Sequence, residues 1–393
     1  MTSNDTKRPG HFRAGSGRSA AREKPSAGQL FFCFMATFCL FLILRNADAA
    51  VEYMGRGLTL CTRTVIPSLF PFMVISELLV RSGAGEALGR LLARPMRWLF
   101  GLSGAGSTAV FLGSLCGFPM GAKTAVGLLD RNLISREECE HLLTFSNNPS
   151  SAFLITAVGV SLFGNRRIGT LLYLIVLGSG LLVGFLARFL LRPGNRTVHP
   201  HFPSGLHPGG VEMFTSSMSG AASGMLTVCA YVVFFSTLSG TLSCLSEAVG
   251  GLPPLLYAAV CGLLELSGGI SEASALPDTS TALIVSAAIA GWSGLSVHCQ
   301  VMSMCAGRGL SFKPYIAAKA AQSVICGTVM ALLLRVAPPE LWSPAADTAL
   351  SALLDLEGRH AATRIVVPPA VGCVGFAAAW LVLLGRRISE RQT

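Results

Sequence analysis

Long apolar runs dominate the chain, at residues 30–44, 65–80, 112–120, 145–163, 168–191, 213–244, 255–266, 283–304, 316–335 and 366–384. Apolar stretches approaching 20 residues predict helices that cross a bilayer. Four runs are interrupted by residues that a spanning helix avoids. The first break is Gly117, Pro119 and Gly121, followed at once by Lys123; the second is Asn147-Asn148-Pro149-Ser150-Ser151. The third falls at Glu265, Gly268 and Gly269, and the fourth extends over Gly291-Trp292-Ser293-Gly294-Leu295-Ser296-Val297-His298-Cys299-Gln300. Non-helical backbone survives at membrane depth only where protein or a water-filled cavity covers it. Matching broken segments in two halves are the sequence sign of an internal repeat around a transport site. Two amphipathic stretches separate the runs. Residues 85–100 set Leu88, Leu91, Leu92 and Leu99 against Arg90, Arg94 and Arg97, as an interfacial helix does. Residues 122–143 carry Asp130, Arg131, Arg136, Glu137, Glu138 and Glu140 on a polar side.

The predicted fold is an all-α polytopic membrane protein with inverted repeats, re-entrant hairpins and discontinuous helices. Its expected parts are a disordered basic tail at 1–28, an anchor, second span and interfacial helix at 29–104, and a first repeat at 105–191. A loop follows at 192–212, then a second repeat at 213–337, an external loop at 338–365, and a last span with a basic tail at 366–393. The first run, 30–44, reads as an anchor, although the Ala47-Asp48-Ala49 that follows also fits a signal-peptidase site.

Composition agrees: 51% of the 393 residues are hydrophobic and only 13% charged, about half the charged share of a soluble domain. The formal net charge of +10 does not point to nucleic acid, because the basic residues are scattered through short loops. If the broken segments 112–120 and 255–266 are hairpins that return to their own side, the basic loops at 81–97, 123–136, 188–196 and 308–319 share the cytoplasmic face with both tails. Arg166-Arg167 is the cluster that fits this topology poorly.

Chemistry concentrates at the breaks. Lys123 sits where a restarting helix would point free N–H groups at an anion, or it snorkels to the interface. Asn147, Asn148, Ser150 and Ser151 cluster too tightly for ordinary helix packing and can replace a solute's water. Glu265 is an ionisable group in an apolar run, a functional candidate by default and the candidate for coupling to Na+ or H+. Ser296, His298 and Gln300 complete the expected substrate-binding set, with Lys123 and Asn147 facing Glu265 and His298 across a central cavity. No cofactor or metal is implied. The twelve cysteines form no C-x-x-C and read as small core residues. His199, His201 and His207 lie in a Pro-rich loop and read as a solvated turn. The partners expected are a small anionic solute, the lipid bilayer and a second copy in a homo-oligomer. No Ser-His-Asp set or carboxylate pair argues for an enzyme.

Several strings taken in order carry a resemblance: Pro67-Ser68-Leu69-Phe70-Pro71-Phe72, Gly117-Phe118-Pro119-Met120-Gly121-Ala122-Lys123, Phe145-Ser146-Asn147-Asn148, Leu263-Leu264-Glu265, and the segment from Gly291 to Val301. The chain resembles the YlbJ-type sporulation integral membrane proteins, grouped with the nucleoside-recognition (Gate) proteins. The resemblance implies a multi-pass protein of the outer forespore membrane that passes dipicolinic acid toward the forespore. It also implies paired hairpins and broken helices like those of concentrative nucleoside transporters. Two other functions fit the same residues: an ion-coupled transporter of nucleosides or another small solute, and a non-transporting scaffold for spore-envelope assembly.

Overall fold

The computed structural model describes residues 27–82, 89–191, 209–248 and 250–336. The expected tail up to residue 26, the histidine loop with His199, His201 and His207, the external loop at 338–365 and the last span at 366–384 lie outside the described residues. Two units are distinguished, 1–47 and 48–393. The first contributes the apolar helix α1 (Ala27–Arg45), with Arg45 in its last turn. All further description concerns the second.

Every described element is helical. Helix α2 (Ala47–Leu60) leads through one π-type turn into α3 (Ile66–Arg81). A short bent segment through Phe100 corresponds to the expected interfacial helix. It buries Met96 and Phe100, and the Phe100 ring stacks on Phe145 at 4.6 Å. The first repeat follows as α4 (Ser107–Cys116), α5 (Met120–Asp130), α6 (Arg136–Phe145), α7 (Phe153–Leu162) and α8 (Arg166–Leu190). A 39-residue helix, α9 (Gly210–Ala248), precedes the second: α10 (Pro254–Leu264), α11 (Leu266–Ser274), α12 (Thr279–Trp292), α13 (Gly294–Cys305) and α14 (Lys313–Val336). Among the described residues four helices are long and apolar enough to cross a membrane, or up to six if each bent pair counts as one span.

Polar side chains start the helices where the sequence supplies them. Ser135 and Glu138 close a capping box on α6, so the amphipathic stretch expected at 122–143 is two helices separated by a turn at 131–135. Asn165 caps α8 and Asp278 caps α12.

The repeats interlock. Hairpin α4–α5 packs with α6 around Leu142, Leu143 and Phe145, and the same core takes in Val297, Val301 and Cys305 from α13 of the other repeat. Hairpin α10–α11 packs with α12 and α14, and its core takes in Leu154 and Val158 from α7 of the first repeat. Each hairpin thus rests on the second half of the opposite repeat's broken helix. Lipid is as apolar as leucine, so in a bilayer close backbone approach and hydrogen bonds must hold helices together. Glycines supply that approach here. In the first hairpin Gly113 and Gly121 face each other, and a Cβ on either would overlap the Ser146 carbonyl oxygen; in the second, Gly262 and Gly269 meet.

Candidate functional site

The four breaks are built differently but meet in pairs. In the first, α4 ends at Gly117, whose φ of +77° suits glycine, and Pro119 leads into α5. The second break, residues 146–150, is chain outside any helix. The two touch: Phe118 N donates to the Asn148 carbonyl at 2.8 Å, and Gly117 lies against the Ser150 backbone. The third break is a single residue. Glu265 leaves the helix with φ −144° and ψ 133°, and its carboxylate caps the restart by accepting from Ser267 N at 3.0 Å and Gly268 N at 2.6 Å. Gly268 and Gly269, expected to form this break, sit inside α11 instead; a side-chain cap is enough to stop and restart the helix. The fourth break is Ser293 and Gly294, with φ of +77° and +84°. A Cβ on Gly294 would lie 2.9 Å from Leu266 N and 3.1 Å from Glu265 Cα, so these two breaks also touch. The helices that follow the first and fourth breaks begin at Met120 and Gly294.

Residues of all four breaks or their flanks enclose one cavity of about 60 Å³: Phe118, Ser150, Glu265 with Ser267, and Ser296 with Gln300. Helices α3 and α9 close it with Leu69, Val228, Tyr231 and Val232. The lining is mostly apolar, and Glu265 supplies its one carboxylate. A second cavity, of about 490 Å³, lies further along the same helices; Thr227 lines it where Val228 lines the first, and Ser303 where Gln300 does. This vestibule gathers Arg81, Lys123, Arg131 and Arg308 against Glu77 and Asp130. Lys123 Nζ pairs with Glu77 at 2.6 Å and donates to the Gly220 carbonyl at 3.0 Å. Arg308 grips Asp130 through two bonds of 2.7 and 2.8 Å and holds its carboxyl below the usual carboxylate range.

The expected binding set therefore divides into three groups. Ser150, Ser296, Gln300 and Glu265 line the inner cavity. Lys123 does not face them, because its ion pair with Glu77 holds it in the vestibule. Asn147, Asn148 and His298 are buried behind the cavity wall, and Ser151, half-buried, opens the run into α7. His298 Nδ1 meets the Tyr315 hydroxyl at 2.9 Å, and its ring stands edge-on to Trp292 at 4.4 Å. The Asn147 carboxamide faces the Tyr315 hydroxyl, yet neither its oxygen nor its nitrogen makes a well-formed hydrogen bond.

Sequence reasoning missed a cluster behind the second break. Lys319 is completely buried, and its Nζ donates to Asn148 Oδ1 and Gln322 Oε1, each at 3.0 Å. Gln322 Nε2 donates to Asn148 Oδ1 and to the Val176 carbonyl, both at 2.9 Å. Among the described residues no carboxylate pairs with Lys319. The available signal is the spacing Tyr315, Lys319, Gln322, Cys326, which puts four fully buried groups on one face of α14.

The nucleoside-recognition (Gate) family description matches residues 62–239, from the π-type turn before α3 to within α9. The chain is 30% identical over 336 residues to the sporulation integral membrane protein YlbJ of Bacillus subtilis (strain 168), covering 76% of this chain and 82% of that protein. No solved structure matches. With interlocked repeats, paired broken helices and this extent of similarity, the chain belongs to the YlbJ family of sporulation integral membrane proteins.

Proposed function

We propose that this protein is an alternating-access transporter that carries dipicolinate across the outer forespore membrane. The observation that carries the reading is the convergence of four helix breaks, two from each repeat, on one cavity. Alternating access works by moving one repeat against the other around such a site. The substrate class follows from the family resemblance and from chemistry. Dipicolinate is a flat dianion, and the vestibule sets four basic side chains against two carboxylates, a bias that concentrates anions. Deeper in, Phe118 and Phe153 offer apolar faces to a ring, and Ser150, Ser296 and Gln300 offer donors to carboxylates and acceptors to water.

The test is radiolabelled dipicolinate uptake into proteoliposomes. Wild type takes it up, Gln300→Ala and Lys123→Ala take up less, and the absence of wild-type uptake, or rates unchanged in both variants, refutes the assignment. A second reading, a nucleoside as solute, is favoured by the family description and by Glu265, whose carboxylate could accept hydrogen bonds from ribose hydroxyls. Under that reading uridine competes with or replaces dipicolinate in the same assay.

A further inference from the structure

Lys319 has no part in lining either cavity, yet it is the most demanding group in the interior. Among the described residues no anion meets this buried amine, which has lost its hydration and gained two carboxamide oxygens, an arrangement that membrane proteins keep for function. Its location adds to this. Asn148, which accepts from Lys319 and from Gln322, belongs to the second break, and Ser150, two residues on, is part of the cavity wall. The backbone carbonyl of the same Asn148 is held by Phe118 N of the first break. One residue, Asn148, thus ties α14 of the second repeat to both breaks of the first.

Two carboxamide oxygens, one of them on the broken backbone at Asn148 and the other on α14 at Gln322, form the kind of centre that would hold a free monovalent cation. Here the Nζ of Lys319 occupies that centre.

We infer that Lys319 is a built-in replacement for a coupling cation, so that transport is driven by protons through this amine and not by sodium. The inference rests on the transport reading above. The step is a proton transfer alone. When the movement of one repeat against the other opens the Asn148 break to the loading side, the Nζ amine takes a proton from water and becomes the ammonium that Asn148 and Gln322 hold; when the movement opens it to the release side, the same N–H bond breaks and the proton returns to water. One proton accompanies each solute, and no other bond changes. An ammonium held by amides alone can exchange its proton without breaking an ion pair. The groups that face it do not compete for that role. Helix α12 contains no titratable residue, and on α8 the Tyr173 hydroxyl is taken up by the Ser114 carbonyl while the arginines sit towards the ends. On α6, His141 is bonded to the Gly184 carbonyl. His298 on α13 is bonded to Tyr315 of α14, and Cys326 of α14 to Ser179. Glu265 spends both carboxylate oxygens on the start of α11.

The experiment compares wild type, Lys319→Gln and Lys319→Arg in proteoliposomes, measuring dipicolinate exchange at equal pH and net accumulation under a pH gradient or a sodium gradient. Wild type should accumulate several-fold with the pH gradient and be indifferent to sodium. Both variants should retain exchange within about twofold and lose accumulation, because glutamine carries no proton and arginine does not release one. If Lys319→Gln is misfolded by size-exclusion chromatography, Lys319→Arg carries the comparison. Accumulation that follows sodium in wild type, or that survives in either variant, overturns the inference and leaves the transport reading intact. Absence of wild-type exchange overturns the transport reading, and this inference with it.

Discussion

The contact between the third and fourth breaks can be tested with one methyl group. In Gly294→Ala the residue must hold φ at +84°, where an L side chain costs about 1–2 kcal/mol. The new Cβ also lies 2.9 Å from Leu266 N, and reaching ordinary contact beyond 3.4 Å requires the two breaks to part by about half an ångström. The obstructing atoms are backbone, so no rotamer change relieves them, and overpacking of this kind costs about 1–3 kcal/mol more. Gly307→Ala is the control for conformation: its φ is +76° and no atom lies within 4 Å of the added Cβ. Gly178→Ala is the control for helix propensity, since it lies inside α8 with open space around it and should stabilise by about 0.5–1 kcal/mol. Unfolding in mixed micelles with increasing denaturing detergent ranks the three. The expected order of stability is Gly178→Ala, wild type, Gly307→Ala and Gly294→Ala, the last two separated by about 1–3 kcal/mol. Solute flux should fall in Gly294→Ala alone, because the displaced residues are Glu265 and Leu266 of the cavity wall. Equal losses for Gly294→Ala and Gly307→Ala would show that the two breaks do not touch.

Three further expectations concern charge. Asp130 is held below the usual carboxylate range by Arg308, so its contribution is complete above about pH 4 and is lost as pH falls through the lowered folded-state value. The pair is partly exposed, so Asp130→Asn should cost about 0.2–1 kcal/mol at neutral pH and low salt, with the cost vanishing in acid and in high salt; a cost that persists in acid argues against the pairing. Glu265→Ala should leave Ser267 N and Gly268 N without their acceptor and cost about 1 kcal/mol, whereas Glu265→Gln keeps one oxygen and should cost less; thermal unfolding in detergent measures both. Glu77→Gln removes the carboxylate from Lys123 and makes the vestibule more positive, so KM for an anionic solute should drop at low ionic strength and converge with wild type in salt; an unchanged KM would mean that the vestibule does not collect the solute.

The architecture was legible because the breaks announce themselves: glycine, proline and clustered small polar residues are conspicuous inside apolar runs, and they recur in both halves. What sequence could not fix was which polar residue does the breaking. Gly268 and Gly269 look like the interruption, yet a carboxylate that satisfies two amide donors stops and restarts the helix at Glu265. Lys123 follows a break and was expected to face Glu265 and His298, but Glu77, 46 positions earlier in the chain, is what it meets in space. Lys319 was overlooked for the opposite reason. Near the start of a long apolar helix a lysine resembles an interfacial anchor, and only the packing of α6, α8 and α12 around α14 encloses it. Linear pattern reports periodicity and punctuation; pairing across the interlocked repeats depends on distances that no local pattern contains.

The carboxylate of Glu265 holds the first turn of α11 and at the same time borders the inner cavity. Whatever draws an oxygen of that carboxylate toward the cavity takes an acceptor away from Ser267 N or Gly268 N. Occupancy and capping of the hairpin tip therefore compete for the same two atoms. Faster deuterium uptake at those two amides would then mark an occupied site, and a rigid tip an empty one.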